Sequence, residues 1–117
     1  MPIELKEGVR VNIDGFNQEH RILCEVYAHI GHTRGGQPHK IAKDILKLIA
    51  VEKRHPGPWR KILCFADQAA AQCASGSSWL ATVCGDFGVA VSVFSLPPDL
   101  HEAVVSAQQR QVMVNPT

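Results

Sequence analysis

Two neighbouring stretches decide the fold: Gly8-Val9-Arg10-Val11-Asn12-Ile13-Asp14-Gly15-Phe16 and Arg21-Ile22-Leu23-Cys24-Glu25-Val26-Tyr27-Ala28-His29-Ile30. In the first, Val9, Val11 and Ile13 alternate with Arg10, Asn12 and Asp14, the period of a strand with one buried side. The second is strand-like too, and Asn17-Gln18-Glu19-His20 between them is polar enough to turn. A hairpin closed with Asp14 opposite Glu25 also sets Asn12 against Tyr27 and Arg10 against His29 on one side. Ile13 with Val26, Val11 with Ala28, and Val9 with Ile30 then fill the other side. A slip of one residue would undo this sorting, so the pattern itself specifies the register. Two carboxylates opposite each other on a strand pair repel, and no folding argument asks for them.

Beyond the hairpin lies a loop, Thr33-Arg34-Gly35-Gly36, and then a helix opening near Gln37-Pro38, with proline in its first turn. It runs to about Arg54, where His55-Pro56-Gly57-Pro58 stops it. Ile41, Ala42, Ile45, Leu46, Leu48 and Ile49 form its apolar face. Lys40, Lys43, Lys47 and Arg54 fall within about 60° of one another on a different face. Lys61 to Asp67 reads as a buried strand, followed by an Ala-rich helical stretch and a helix capped near Ser77 or Ser78. That helix ends at Gly88. Val89 to Phe94 is a second buried strand, and a last helix runs from about Asp99 to Met113, packed on a face of the sheet. Two near-continuous apolar strands separated by helix imply a parallel crossover. The expected architecture is α/β: a mixed sheet, with an antiparallel hairpin and parallel crossover strands, flanked by helices.

The chain has 117 residues, 45% apolar and 20% charged, which is one domain's worth, residues 1–117. Twelve Lys and Arg against eleven Asp and Glu leave a net charge of +1, so total charge proposes no nucleic-acid partner and only a local cluster can. No apolar run approaches the roughly 20 residues of a membrane span, and the first residues lack the apolar stretch of a signal peptide. A cytoplasmic protein with no membrane partner is expected. The four cysteines contain no Cys-x-x-Cys pair, which fits small buried thiols in a reducing compartment.

Asp14 and Glu25 on one face, followed by the basic helix, form the leading constellation. Two carboxylates on adjacent strands suit a hard divalent cation, magnesium or manganese. Such an ion activates water and neutralises phosphate oxygen during phosphodiester cleavage. The competing reading makes both acids exposed hairpin residues and the lysine stripe a solvated helix face.

Ile13-Asp14-Gly15, with Leu23-Cys24-Glu25-Val26-Tyr27 after a short turn, resembles the core of the PD-(D/E)XK (restriction-endonuclease-like) nuclease superfamily. The resemblance covers about residues 4 to 67 in detail and the rest in topology. It implies a restriction-endonuclease-like core, with Asp14 and Glu25 as metal ligands and metal-dependent hydrolysis of DNA, or RNA, as the activity. Tyr27 stands where the family has its lysine. Some members carry that lysine on the neighbouring helix, which here assigns the role to Lys40 or Lys43, with Tyr27 and His29 lining the same site. Gln37 matches a glutamine that some relatives carry. Arg34, Gln37, Lys40, Lys43 and Lys47 are then the nucleic-acid contacts, and a homodimer is an assembly common in the class. The resemblance also implies an N-terminal helix with another acid, but only eight residues precede the first strand: either Glu4 or Glu7 substitutes for it, or the element is missing.

A binding or assembly module that keeps the nuclease fold without activity is the alternative from another class. Two further readings use the histidines. Cys24, His29, His32 and His39 are zinc-type ligands, but Cys24 points away from His29 in the hairpin register. His29-Ile30-Gly31-His32 also spells the phosphate-binding tetrapeptide of the nucleotidylyl transferases, which makes a nucleotide binder the third reading. Asp67 ends a parallel strand, as a ligand-binding or helix-capping residue does. Trp59 and Trp79 are expected in core or edge packing, and Gln108 on a polar outer helix face.

Overall fold

The computed structural model describes residues 1–31, 37–95 and 97–114. The chain order is β1 (Pro2–Lys6), β2 (Val9–Asn12), β3 (Gly15–Asn17), β4 (Ile22–Tyr27), α1 (Gln37–Arg54), β5 (Arg60–Phe65), α2 (Gln68–Ala71), α3 (Trp79–Phe87), β6 (Val89–Val93) and α4 (Pro98–Val114). A single turn of 3-10 helix, Gln72–Ala74, follows α2. The protein is thus α/β with a mixed sheet, as the apolar patterning implied.

The expected hairpin forms in part. Gly15 pairs with Cys24, Phe16 with Leu23 and Asn17 with Ile22, the register that brings Asp14 level with Glu25. It does not continue towards Val9. β2 instead pairs antiparallel with β1, Ile3 against Val11 and Glu4 against Arg10, in a separate two-stranded sheet. The pairings of Asn12 with Tyr27 and Arg10 with His29 are therefore absent. At the break the Ile13 N–H and carbonyl bond to Met1, and the Asp14 Oδ2 accepts the Val26 N–H at 2.8 Å. That donor is satisfied by a side chain at the point where a continued hairpin would need a backbone carbonyl. Ile13 is fully buried at the switch between the two sheets. β1 itself, Pro-Ile-Glu-Leu-Lys, carries the same period of two and lies against α1.

The larger sheet has the order β3-β4-β5-β6, with β3 antiparallel to β4 and the other neighbours parallel. Both crossovers, through α1 and through α2 and α3, step the same way across the sheet. Crossovers of one hand then lay both sets of helices on one face. Burial agrees: the rows Leu23–Lys61–Val89 and Glu25–Leu63–Val91 point into the core with Ile41, Ile45 and Leu48 of α1 and Leu80 and Cys84 of α3. The face is the reverse of the expected one. Val26, placed by alternation on the apolar side, is 43% exposed, while Glu25 and Tyr27 face the core.

Helix limits follow local chemistry. Ser78 caps α3, its Oγ accepting the Ala81 N–H at 3.1 Å, and Gly88 closes it at φ 67°. Past α1, Trp59 stacks on Phe16, and the Arg21 guanidinium lies 5.0 Å from the Trp59 ring. Trp59 is core, one of the two settings expected, and Trp79 is 64% exposed. The Lys61 ammonium is buried and sits 2.6 Å from Glu52 Oε1. α4 is anchored through Gln108, whose Oε1 accepts the Ile30 N–H at 2.7 Å and whose Nε2 donates to the Ile30 carbonyl at 3.1 Å. Gln108 is thus a fastening, not part of a polar outer face. Cys24, Cys64, Cys73 and Cys84 are free thiols, Cys84 buried and the others half-buried.

Candidate functional site

The site forms where β4 meets α1. β4 turns Glu25 and Tyr27 inward because they alternate with Cys24 and Val26. α1 meets them with Lys40, Asp44 and Lys47, which recur at intervals of four and three and so share one face. Asp14 reaches in from the chain before β3, its orientation set by the Val26 N–H.

Glu25 is only 2% exposed, and its Oε1 is a buried oxygen with no hydrogen-bond partner. The Lys47 ammonium stands 3.5 Å from that oxygen and 3.3 Å from Asp44 Oδ1. Asp44 Oδ2 accepts the Tyr27 hydroxyl at 2.9 Å and pairs with Lys40 Nζ at 3.2 Å. Lys40 also lies over the Tyr27 ring, 5.0 Å from its centroid. Tyr27 stacks on Phe65 on the core side. Three carboxylates and two ammonium groups are thus gathered within one contiguous polar cluster.

The electrostatics follow from burial and crowding. Removal from water, the hydrogen bond shared with Asp14, and the charges of Asp44 and Asp14 push the Glu25 carboxyl up to about 7, against the pull of Lys47. For Asp14, partial burial acts upward. It is outweighed by the Val26 N–H, the hydrogen bond from Glu25 and the charges of Lys40 and Lys47, which together hold this carboxyl below its usual value. The opposite directions put the shared proton on Glu25. Burial and the neighbouring Asp44 push the Tyr27 hydroxyl far up, so Tyr27 acts as a neutral donor. Lys47 is raised: partial burial opposes its charge, but the carboxylates of Glu25 and Asp44 overcome it.

Asp14 and Glu25 are therefore brought together, as their register implied. Lys40 adjoins the cluster through Asp44, while Lys43 is exposed on the same helix. Lys47, read from the sequence as part of the basic stripe and as a nucleic-acid contact, is the lysine beside Glu25. His29 lies beyond the end of β4, half-buried. Arg34, His32 and the side chain of Gln37 lie outside the described residues. That leaves the His32 part of both histidine readings there too. Asp67 accepts the Gly31 N–H at 2.8 Å and makes no side-chain cap at α2, so it secures the chain after β4.

Sequence reasoning on the hairpin and the basic stripe does not reach Asp44, although the sequence carries a signal for it. At 100° per residue it falls inside the apolar stripe between Val51 and Leu48. A carboxylate there must be buried, and a buried carboxylate needs partners.

Among the described residues, no group of three or more His, Cys, Asp or Glu side chains is arranged to hold a metal ion. The geometry explains this, since Lys47 and Tyr27 draw Asp44 to their own side of the cluster. Asp14 and Glu25 remain as an adjacent pair, with the orphaned Oε1 between burial and Lys47. Magnesium commonly takes one or two protein carboxylates and keeps several waters. No family model, curated protein or solved structure matches the chain.

Proposed function

We propose that the protein is a metal-dependent phosphodiesterase acting on nucleic acid, DNA first, built on a divergent restriction-endonuclease-like core. The observation that carries this reading is the buried, hydrogen-bond-free Oε1 of Glu25, adjacent to Asp14 and faced by a lysine. Burying a carboxyl oxygen without a hydrogen-bond partner is costly and does nothing for folding. Such groups concentrate at sites that use them.

Asp14 and Glu25 would hold magnesium or manganese. Asp14 is the fixed member, because the Val26 N–H orients its carboxylate before any ligand arrives. A bound ion would neutralise phosphate charge and make a water more acidic. Lys47 supplies a positive charge for the phosphate oxygen on which charge develops. Asp44 holds Lys47 and Lys40 in place, and Tyr27 fixes Asp44 by donating to Oδ2. Lys40, with its exposed ammonium, and Lys43 extend the positive charge outward, where a nucleic-acid backbone would run.

The test is cleavage of single- and double-stranded DNA and RNA with magnesium or manganese, in parallel with Asp14→Ala and Glu25→Ala. Metal-dependent cleavage reduced to background in both variants is expected. Cleavage surviving both substitutions removes the metal assignment. Absence of cleavage on all four substrates favours the second reading, a binding module that keeps the core. One observation supports that alternative: Lys47 and Tyr27 already satisfy Asp44, so the cluster is nearly complete as an internal salt-bridge network.

A further inference from the structure

We propose that the outer surface of α1 and α3 is a docking site for single-stranded nucleic acid, with the Trp79 indole stacking on an unpaired base and the α1 cations carrying the phosphates. The inference rests on the nucleic-acid reading above and names its substrate as a single strand.

Two observations carry it. The first is charge. Lys43, Lys53 and Arg54 of α1 are exposed, and no ion pair holds them among the described residues. The two acids of the helix are engaged elsewhere: Asp44 is buried against Tyr27, and Glu52 holds Lys61. An unbalanced row of cations along one helix is complementary to a polyanionic backbone. The second is exposed apolar area. α3 buries Leu80 and Cys84 but turns Trp79 outward, 64% exposed, and Leu46 of α1 is 66% exposed.

The fold brings the two together. α1 and α3 pack side by side on one face of the sheet, and each leads into one of two parallel neighbouring strands. Val89 after α3 is level with Lys61 after α1. Trp79 stands eight residues before the end of α3 and Leu46 eight before the end of α1. Both are therefore about 12 Å up their helices, at about the same height. Around α1, Lys47 turns towards Glu25 on β4. Leu46 lies about 100° from Lys47 and about 160° from Asp44, on the flank towards α3, with Lys43 between Leu46 and Lys47. A strand crossing the crest of α1 thus has the polar cluster on one side, Lys43 beneath it and Trp79 on the other. Stacking needs an open base face, which a single strand offers and a duplex keeps inside, and it tolerates any sequence.

The experiment is fluorescence anisotropy of labelled oligo(dT), oligo(rU) and a duplex of the same length with the whole chain. It is run over a range of potassium chloride in EDTA, so that no cleavage intervenes. Wild type is compared with Trp79→Ala, Trp79→Phe, Lys43→Gln and the control Arg60→Gln, whose exposed side chain alternates with the core-facing Lys61 and so lies on the other face of the sheet. Wild type should bind both single strands more tightly than the duplex. Trp79→Ala should weaken single-strand binding roughly tenfold and leave duplex binding unchanged, while Trp79→Phe, which keeps a ring, recovers most of the loss. Lys43→Gln should lower the slope of log affinity against log salt by about 0.7, and Arg60→Gln should match wild type. Trp79 is the exposed indole and Trp59 the buried one, so oligo(dT) should quench tryptophan emission in wild type and not in Trp79→Phe. Circular dichroism checks each fold. Single-strand binding unchanged in Trp79→Ala overturns the docking site and leaves the nucleic-acid reading standing, as does an equal loss on the duplex. Quenching by phosphatidylserine vesicles but by neither oligonucleotide also overturns it, in favour of a membrane surface. Absence of binding to all three nucleic acids overturns the nucleic-acid reading and the docking site together.

Discussion

Glu25 ties the chemistry of the site to the stability of the fold, and Glu25→Gln separates the two. An ordinary glutamate ionises near 4.5; in the folded protein burial beside Asp14 and Asp44 moves this one to about 7. Below the lower value it is protonated in both folded and unfolded chains. Between the two values the folded chain retains the proton and the unfolded chain does not, so the folded state binds more protons and stability falls as pH rises. At about 1.4 kcal/mol for each tenfold change in proton affinity, the loss amounts to about 3 kcal/mol once the pH exceeds about 8. That is a large part of the roughly 5–15 kcal/mol that holds a typical domain together. Glutamine has nearly the shape of protonated glutamate and keeps a donor for Asp14, but it does not ionise. Urea unfolding of wild type and Glu25→Gln, at pH 5 and pH 8.5 and in EDTA to exclude divalent cations, reads the difference. The stability gap between variant and wild type should shift in favour of the variant by about 3 kcal/mol from the lower to the higher pH. In melting temperature that is on the order of 10 °C. Parallel pH profiles for the two proteins would refute the argument, because Glu25 would then carry no excess cost of ionisation.

Other perturbations report on the frame around the site. A Cβ at Gly15 would overlap the Cys24 Sγ, so Gly15→Ala should cost about 1–3 kcal/mol in urea unfolding, and Cys24→Ala in the same chain should restore most of it. Additivity of the two substitutions would speak against the overlap. Glu52→Ala leaves the buried Lys61 ammonium and the Trp59 N–H without their acceptor. It should destabilise by about 3 kcal/mol, with Lys61→Met as a second substitution recovering part of the loss. Gln108→Ala removes both bonds to the Ile30 backbone, so hydrogen exchange at the Ile30 amide should accelerate while that of the core amide Leu63 is unchanged. Faster exchange at both would indicate global loosening instead of release of α4.

Much of this architecture is legible in local pattern. The limits of α1 follow from Pro38 in its first turn and from Pro56-Gly57-Pro58 after it, and those of α3 from Ser78 and Gly88. These are short-range effects of backbone dihedrals and unpaired helix-end groups, so a window of a few residues contains them. The apolar runs at Arg60–Phe65 and Val89–Val93 likewise announce strands. β1 is not legible in local pattern although Ile3 and Leu5 alternate with polar neighbours, because a five-residue strand has no visible partner until β2 turns to it. The role of Asp44 is not legible either, because one acid in a long helical stripe has no evident partner until the strand beneath it supplies Tyr27.

Local pattern is enough for the class of the fold, the helix ends, and the nearness of Asp14 to Glu25, since a period of two and a short turn specify which residues lie level across a hairpin. The burial of Glu25, the end of the hairpin at Asp14, and the meeting of Lys47 with Asp44 beside Glu25 arise from long-range packing. Alternation distinguishes the two faces of a strand but does not say which one is covered. That depends on where α1 and α3 pack, and both crossovers lay them over the side that carries the acid.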